Sequence, residues 1–412
     1  MPIITTILCI LLIIAALALA IYWGAVLYHI ANTMRTIPTC RDALSLPAAA
    51  ELLNPSAPKL CIIVPAHNEQ GVVGKLAASL IKQTYPNLSV VFALDRCTDG
   101  TAAEIREATG GADHMELLEI RECPTDWAGK VNAIRVAVST SKAAQTADLL
   151  LFTDADTEFD PDCVRAAVAL LTSRSLGMLS IMSTLTTGRT FERITQPAAG
   201  MELMRQYPLA RANAPTHRRA FANGQFMLFT RAAYAQVGGH EAVKHALLED
   251  IELARLIERR AIPAGLFFAD NLLRCRMYAS NEEFVKGWKR IYIEAANRRI
   301  KRLDTLARRA RLVSTALPVG VMLGALAILS LGGLHIPTGL AAPAVIVSIV
   351  GLTLYMTAIL WSYRIARVPM IWSLLYPLGA WQTGTILHAA AADLRAGTPV
   401  RWGGREYVRE AR

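Results

Sequence analysis

Of the 412 residues, 53% are hydrophobic and only 18% charged, and the mean hydropathy is +0.33. Soluble domains hold about 45–50% apolar and about 25% charged residues, so part of this chain is built for lipid and a disordered polar chain is excluded. The net charge is +10, and the seven cysteines (Cys9, Cys40, Cys61, Cys97, Cys123, Cys163, Cys275) are scattered without a C-x-x-C pair or a His-linked spacing, which excludes a disulfide scaffold and reads as reduced thiols.

From Ile3 to Tyr28 there is no charged side chain, and Arg35 and Arg41 come next. The run is longer than a signal peptide's apolar core and fits a spanning helix of about 20 residues. Its basic C-terminal flank predicts that the chain beyond it faces the cytoplasm. A Pro/Ala-rich linker covers 46–58.

Residues 31–311 suffice for one α/β domain. Leu60–Val64 stops at Pro65, Val90–Leu94 at Asp95, and Leu149–Phe152 at Thr153-Asp154. Each apolar run reads as a buried strand of a mostly parallel sheet, alternating with helical stretches. In open α/β sheets the ligand crevice lies outside the C-terminal strand ends, so the three polar clusters are expected to converge there. PAHNEQG after the first strand carries a single glycine, which argues against a dinucleotide fold or a P-loop.

Asp154-Ala155-Asp156 follows the third run. Two carboxylates at i and i+2 suit a hard divalent cation, Mg²⁺ or Mn²⁺, that also binds phosphate oxygens; the alternative is a solvated turn. Glu249-Asp250 opens a helical pattern through Leu253, Leu256 and Ile257, and reads either as acids favourably set in a first turn or as a general base. Lys130, after Gly129, sits where a helix N-terminus can meet phosphate, or is a surface lysine. Asn223–Leu228 begins a strand in which Gly224 lets a substrate approach the backbone, while Gly238-Gly239 stops the helix behind it. His240 and His245 read as polar loop residues.

Trp288, Lys289 and Arg290 lie before RRIKRLDTLARRAR (298–311), which has seven basic residues against Asp304 alone. The three read as an interfacial belt with snorkelling cations or as a gate over a diphosphate. Because the basic stretch runs into an apolar one, it reads as an anchor to anionic headgroups, not a nucleic-acid site.

Leu312–Leu334 and Leu340–Tyr363 are two further uncharged runs joined by an outside turn at His335–Gly339, with Arg364 and Arg367 returning the chain inside. The run Val368–Ala392 is long enough to span, but Pro377 and Gly379 interrupt it. A span would also put the basic tail outside, against the positive-inside bias. A re-entrant hairpin is the favoured alternative.

In this order the clusters resemble the membrane-bound members of glycosyltransferase family 2. PAHNE (Pro65 to Glu69) looks like that family's opening motif, and Asp95-Arg96-Cys97-Thr98-Asp99-Gly100-Thr101 like its nucleoside-binding loop. Asp154/Asp156 resemble its metal-binding D-x-D, Glu249-Asp250 the ED pair whose aspartate is the base, and Gly129-Lys130 with Asn132-Ala133 its GKxxAL-type stretch. GWKRIY stands where processive members carry Q/R-x-x-R-W. With NGQF, GGH, LLED and Arg276–Tyr278, it resembles the subgroup that glycosylates isoprenoid, carotenoid or other lipid acceptors.

The resemblance implies an inverting hexosyltransferase of GT-A fold (α/β, flanked by transmembrane helices). It implies a nucleotide-diphosphate sugar donor, in particular a UDP-sugar, and a lipid acceptor, on the cytoplasmic side of the cell membrane. Pro65, Glu69, Asp95, Lys130 and Asp154 would hold the donor, and Gly224, Glu249, Trp288, Lys289 and Arg290 would face the acceptor or diphosphate. Asp154 and Asp156 would hold the metal, and Asp250 would be the base. The implied organisation is an anchor (1–34), a linker (35–58), the catalytic domain (59–281) and a basic interfacial region (282–311). A membrane region of two spans plus a third span or hairpin (312–392) and a basic cytoplasmic tail (393–412) complete it. A processive polysaccharide synthase and a catalytically silent scaffold are the competing readings.

Overall fold

A computed structural model describes residues 2–215, 219, 221–246, 248–331, 338–402, 405–407 and 411–412. Residues 335–337 of the expected outside turn, and part of the basic tail, lie outside these.

The α/β class and the mostly parallel sheet expected from the sequence are present. The strands of the α/β domain are β1 (Leu60–Ala66), β2 (Leu88–Asp95), β3 (Met115–Ile120), β4 (Leu149–Phe152), β5 (Thr157–Phe159), β6 (Met178–Met182), β7 (Thr184–Leu185), β8 (Met227–Thr230), β9 (Ala264–Phe268) and β10 (Leu273–Cys275). Seven form one sheet in the order β3-β2-β1-β4-β8-β6-β9. Every neighbouring pair is parallel except those of β8, which is antiparallel to β4 and β6. A small second sheet, β5-β10-β7, lies beside it.

Side chains alternate between faces as a pleat requires. Leu60, Ile62 and Val64 of β1 join one core, with Phe92 and Leu151, while Cys61 and Ile63 join the other, with Val91 and Leu150. Both faces are covered, which is why these strands read as unbroken apolar runs. β1 runs one residue past Pro65. Its pairing with β4 has already ended at Ile63↔Phe152, so the missing N–H falls where one side of the strand is unpaired. The strand expected from Asn223 begins only at Met227, because Asn223 to Phe226 close a tight bridge ahead of it.

Among the described residues, three helical segments are long and apolar enough to cross a membrane: Ile4–Glu51, Ile300–Ser330 and Gly339–Ile365. The second contains a single π turn, Leu312–Ala316. Pro318 cannot donate to the carbonyl of Ser314, and the Tyr355 hydroxyl of the third segment donates to it instead at 3.3 Å. Trp23 of the first segment donates to the neighbouring Val313 carbonyl at 3.4 Å. The widened turn thus ties three helices together.

The run Val368–Ala392 is not broken at Pro377 and Gly379. Met370–Leu375 is a 3-10 turn, and Tyr376–Arg395 is one continuous helix with Pro377 in its first turn, where proline is tolerated. This helix packs on the α/β domain. A Cβ at Gly379 would collide with the Ile194 carbonyl of helix Thr190–Gln206, and one at Gly384 would lie 3.0 Å from the Ala307 carbonyl. Gly379 is therefore a close-approach position, not a break, and Gly384 is a second close approach.

The helix Thr190–Gln206 joins domain to membrane. Its Glu202, 2% exposed, accepts from Arg205 and from Arg309 of the basic helix Ile300–Arg311. The Arg205 guanidinium lies 5.1 Å over Trp23 and 5.5 Å over Tyr22. The basic stretch therefore engages protein as well as water: Arg298 pairs with Glu294, Arg395 with Asp304, and Arg311 covers Trp381, while Arg299, Lys301 and Arg308 stay exposed.

Candidate functional site

The ends of β1, β2 and β4 deliver their polar residues to one crevice, as strand-end geometry demands. Lys130, in the first turn of the helix Gly129–Thr140, is its centre. Its ammonium lies 2.6 Å from Oδ1 of Asp154 and 2.5 Å from Oε1 of Glu249. Asp250 stands beside them at the start of the helix Glu249–Arg259, with Oδ2 accepting the Gly224 N–H at 2.9 Å and Oδ1 the Ile251 N–H at 2.7 Å. A Cβ at Gly224 would sit 3.1 Å from the Lys130 ammonium and 3.2 Å from Asp250. Only a residue without a side chain leaves that approach open.

The electrostatics follow from burying acids together. Burial and the adjacent Glu249 push the Asp250 carboxyl up to about 7. Burial and Asp154 push Asp156 to about 7 as well. Burial and Asp154 also raise Glu69, which marks Glu69 as a neighbour of the same crevice. Lys130, held between carboxylates, is raised despite its own desolvation.

Asp156 leaves β4 towards Cys275 of β10, and its Oδ1 is buried with no hydrogen-bond partner among the described residues. A buried, unmatched carboxylate oxygen suits a hard cation, and Asp154 is its near neighbour in the chain. Among the described residues no group of three His, Cys, Asp or Glu has metal-binding spacing. The chain thus offers two carboxylates and leaves other coordination positions to phosphate oxygens and water, a donor set that fits Mg²⁺ or Mn²⁺.

At the other end, Asp95 is 3% exposed and grips Arg96 bidentately, at 2.9 and 2.7 Å. The Arg96 backbone has a φ of +49°, the bend that turns its guanidinium back on the preceding residue. Asp95 also abuts Gly129, where a Cβ would come within 2.9 Å. The loop after it is knitted to the β1 loop: Thr98 N–H donates to Asn68 at 2.9 Å and Gly100 N–H to Gln70 at 2.8 Å. Pro65 lies within β1 just before that loop.

The Trp288–Arg290 segment separates into three environments on the helix Asn281–Ala295. Trp288, 3% exposed, packs between Phe284 and Tyr292 and is a core residue, not an interfacial belt residue. Lys289 binds Asp393 on the helix Tyr376–Arg395 at 2.5 Å, away from the carboxylate cluster. Arg290 alone feels the charges of Asp250, Glu249 and Asp154, together with Tyr278.

His245 is exposed as expected, whereas His240 is 1% exposed and so is no loop residue. Its Nδ1 meets the Tyr234 hydroxyl at 2.9 Å and its ring packs on Phe152, the last residue of β4. Burial, with the Lys130 charge, pushes the imidazole down to about 3, so it is neutral. Sequence reasoning missed this support and the Asp95–Arg96 fork. An arginine directly after the strand-end aspartate was the available signal for the second.

Fold and site together define a membrane-attached α/β protein with an acidic, lysine-centred crevice at its strand ends. The chain belongs to the family described as "Glycosyltransferase like family 2", which matches residues 57–285, more than half of its length. Among similar proteins, the 4,4'-diaponeurosporenoate glycosyltransferase of Staphylococcus aureus (strain MRSA252) is 26% identical over 247 residues, covering 58% of this chain and 62% of that protein. The protein of the same name from strain N315 is 26% identical over 244 residues, 57% and 61% of the two chains. The match thus spans somewhat under two thirds of the length of these curated relatives. Solved structures that resemble it include the mannosyltransferase PcManGT from Pyrobaculum calidifontis with GDP-Man and Mn²⁺ (TM-score 0.43, 18% identity, 89% and 99% of the chains covered). S. aureus TarS 1–349 with UDP-GlcNAc is another (TM-score 0.40, 14% identity, 85% and 96% covered).

Proposed function

We propose that this protein is an inverting glycosyltransferase of GT-A type that moves one hexose from a nucleotide-diphosphate sugar, a UDP-sugar, to a membrane lipid. The observation that carries this reading is the half-buried cluster of Asp154, Asp156, Lys130, Glu249 and Asp250 at the strand ends. Family membership supports the reaction class. The name of the staphylococcal relatives supports a lipid-type acceptor, and so do the three membrane-length helices.

Asp95, oriented by Arg96, and Glu69 accept N–H and O–H hydrogen bonds from the uracil and ribose, with Pro65 shaping the loop between them. Asp154 and Asp156 would hold a Mg²⁺ or Mn²⁺, which supplies Lewis-acid neutralisation of the leaving diphosphate. Lys130 and Arg290 add positive charge where the diphosphate leaves. Gly224 admits the sugar and acceptor to the crevice, and Glu249 keeps Lys130 aligned. Asp250 takes the proton of the acceptor hydroxyl as that oxygen attacks the anomeric carbon. The carbon–oxygen bond to the diphosphate breaks in the same displacement, so the configuration inverts. Trp288 and Lys289 act from behind, by packing and by the Asp393 ion pair. The domain works on the cytoplasmic face, in keeping with Arg35, Arg41, Arg364 and Arg367 beside the spans.

The test is nucleotide release by the full chain in lipid nanodiscs, with a panel of nucleotide sugars and a bacterial lipid extract, followed by mass spectrometry of the lipids. Donor-dependent gain of one hexose mass on a lipid is expected. A ladder of hexose masses would favour the processive reading, and no release with any donor would leave the scaffold.

A further inference from the structure

The turn Met370–Leu375 and the helix Tyr376–Arg395 carry an exposed stripe that changes character along its length. Ile371, Leu374, Leu378 and Trp381 are 70, 64, 61 and 51% exposed. Three to four residues apart, they lie on one face. The same face continues through Thr385, His388 and Arg395, which are exposed and polar. The opposite face is buried: Gly379 meets the helix Thr190–Gln206, Gly384 meets the basic helix Ile300–Arg311, and Leu387 and Ala391 join the core of the α/β domain.

The apolar half is as exposed as the outer faces of the membrane-length helices, where Ile4, Ile14, Leu329 and Ile349 are 57 to 64% exposed. It begins directly after the third of those helices, with only Ala366–Pro369 between. Cations flank it at both ends. Arg193 lies 5.3 Å over the Trp372 ring, and Arg311 lies 5.4 Å over Trp381 while donating to Thr385 at 3.1 Å. Arg311 is also the last residue of the basic helix before the second membrane-length segment turns apolar. Two separate stretches of chain therefore agree on where a headgroup layer begins. Tryptophan under a guanidinium is the pairing expected there.

We propose that the apolar half of this face is embedded in the bilayer leaflet on the side of the α/β domain. Ile371, Leu374 and Leu378 reach the acyl chains, Trp372, Trp381 and Thr385 lie at the headgroups, and the helix emerges into water from His388 onward. The occupant of the stripe is lipid. A span is disfavoured because the far end of the helix is tied to the side of the α/β domain, where Asp393 pairs with Lys289 and Arg395 with Asp304. The inference does not depend on the proposed sugar transfer.

The full chain is reconstituted in vesicles of phosphatidylethanolamine and phosphatidylglycerol with brominated acyl chains. An environment-sensitive fluorescent amino acid is introduced singly at positions 371, 374, 378, 388 and 392. Position 14 in the first membrane-length helix and position 107 on the α/β domain serve as the quenched and unquenched references. Quenching at 371, 374 and 378 of at least half that at 14, with 388 and 392 matching 107, is the expected result. Equal quenching at all five positions would make the segment a span and overturn the proposal. So would no quenching at 371, 374 and 378 while 14 is quenched, which would mean that protein covers the stripe.

Discussion

The backbone N–H of Gly224 holds Oδ2 of Asp250 at 2.9 Å. With the Ile251 N–H on Oδ1, both carboxylate oxygens are fixed by main chain, so the orientation of this acid does not depend on a bound substrate. Asp250→Asn keeps the volume, removes the basicity and leaves one oxygen to accept from the two N–H groups. Transfer to acceptor is expected to fall about 10²–10⁴-fold, the usual worth of a general base, with UDP affinity unchanged by calorimetry. Retention of more than a tenth of wild-type turnover would remove Asp250 from that role.

The pH profile should show the same group. Burial beside Glu249 holds the Asp250 carboxyl near 7, and a base must be deprotonated to act. kcat/KM is therefore expected to rise with pH through about 7 and level above it. A profile that is flat from mildly acidic to mildly alkaline pH would contradict the assignment.

Asp156 ties stability to pH and to metal. Its folded pKa is raised to about 7 from an unfolded value near 4, so the native state binds the extra proton and stability falls as pH rises across that interval. Asp156→Asn abolishes the penalty. Without metal at pH 8 the variant should be more stable than wild type by at least about 1.4 kcal/mol, the worth of one pKa unit. The Mn²⁺-induced rise in melting temperature should disappear. Thermal unfolding in detergent, with chelator and with Mn²⁺, checks both.

Gly224→Ala is a steric test. The new methyl would lie 3.1 Å from Lys130 and 3.2 Å from Asp250, closer than ordinary contact but beside side chains that can shift. Stability should drop by only about 1 kcal/mol, while kcat/KM falls at least about tenfold as the lysine and base are displaced. Equal turnover by both proteins would show that the approach over Gly224 is not used.

How much of the fold and site is legible in the sequence depends on how local each signal is. β1, β2 and β4 are readable because a strand covered on both faces is a short apolar run, and its acidic neighbours mark the C-terminal end. The antiparallel β8 is not, since direction within a sheet leaves no trace in a four-residue strand. Lys130 is visible as a lysine after a glycine, but its partners, Asp154 and Glu249, lie 24 and 119 positions away. Lys289 looks equivalent to Arg290 in sequence. The helix between them turns about 100° per residue, enough to send one to Asp393 and the other to the carboxylates. His240 looks like a loop residue because its glycine-rich context hides the Tyr234 hydroxyl and Phe152 ring that enclose it. In the fourth apolar run, the glycine that looks like a break, Gly379, is there to let backbones touch.

The buried Glu202 with its two arginines, set over Trp23 and Tyr22, bears on selectivity. A catalytic domain on a loose tether could dip and rise to meet acceptors of any depth. One bolted to its membrane helices by buried ion pairs and stacked rings works at a single altitude. Under the proposed function, acceptors would then be sorted by how far the reactive hydroxyl stands off from the bilayer, the junction would act as a ruler, and lengthening or shortening the lipid's polar neck should matter more than changing its tail.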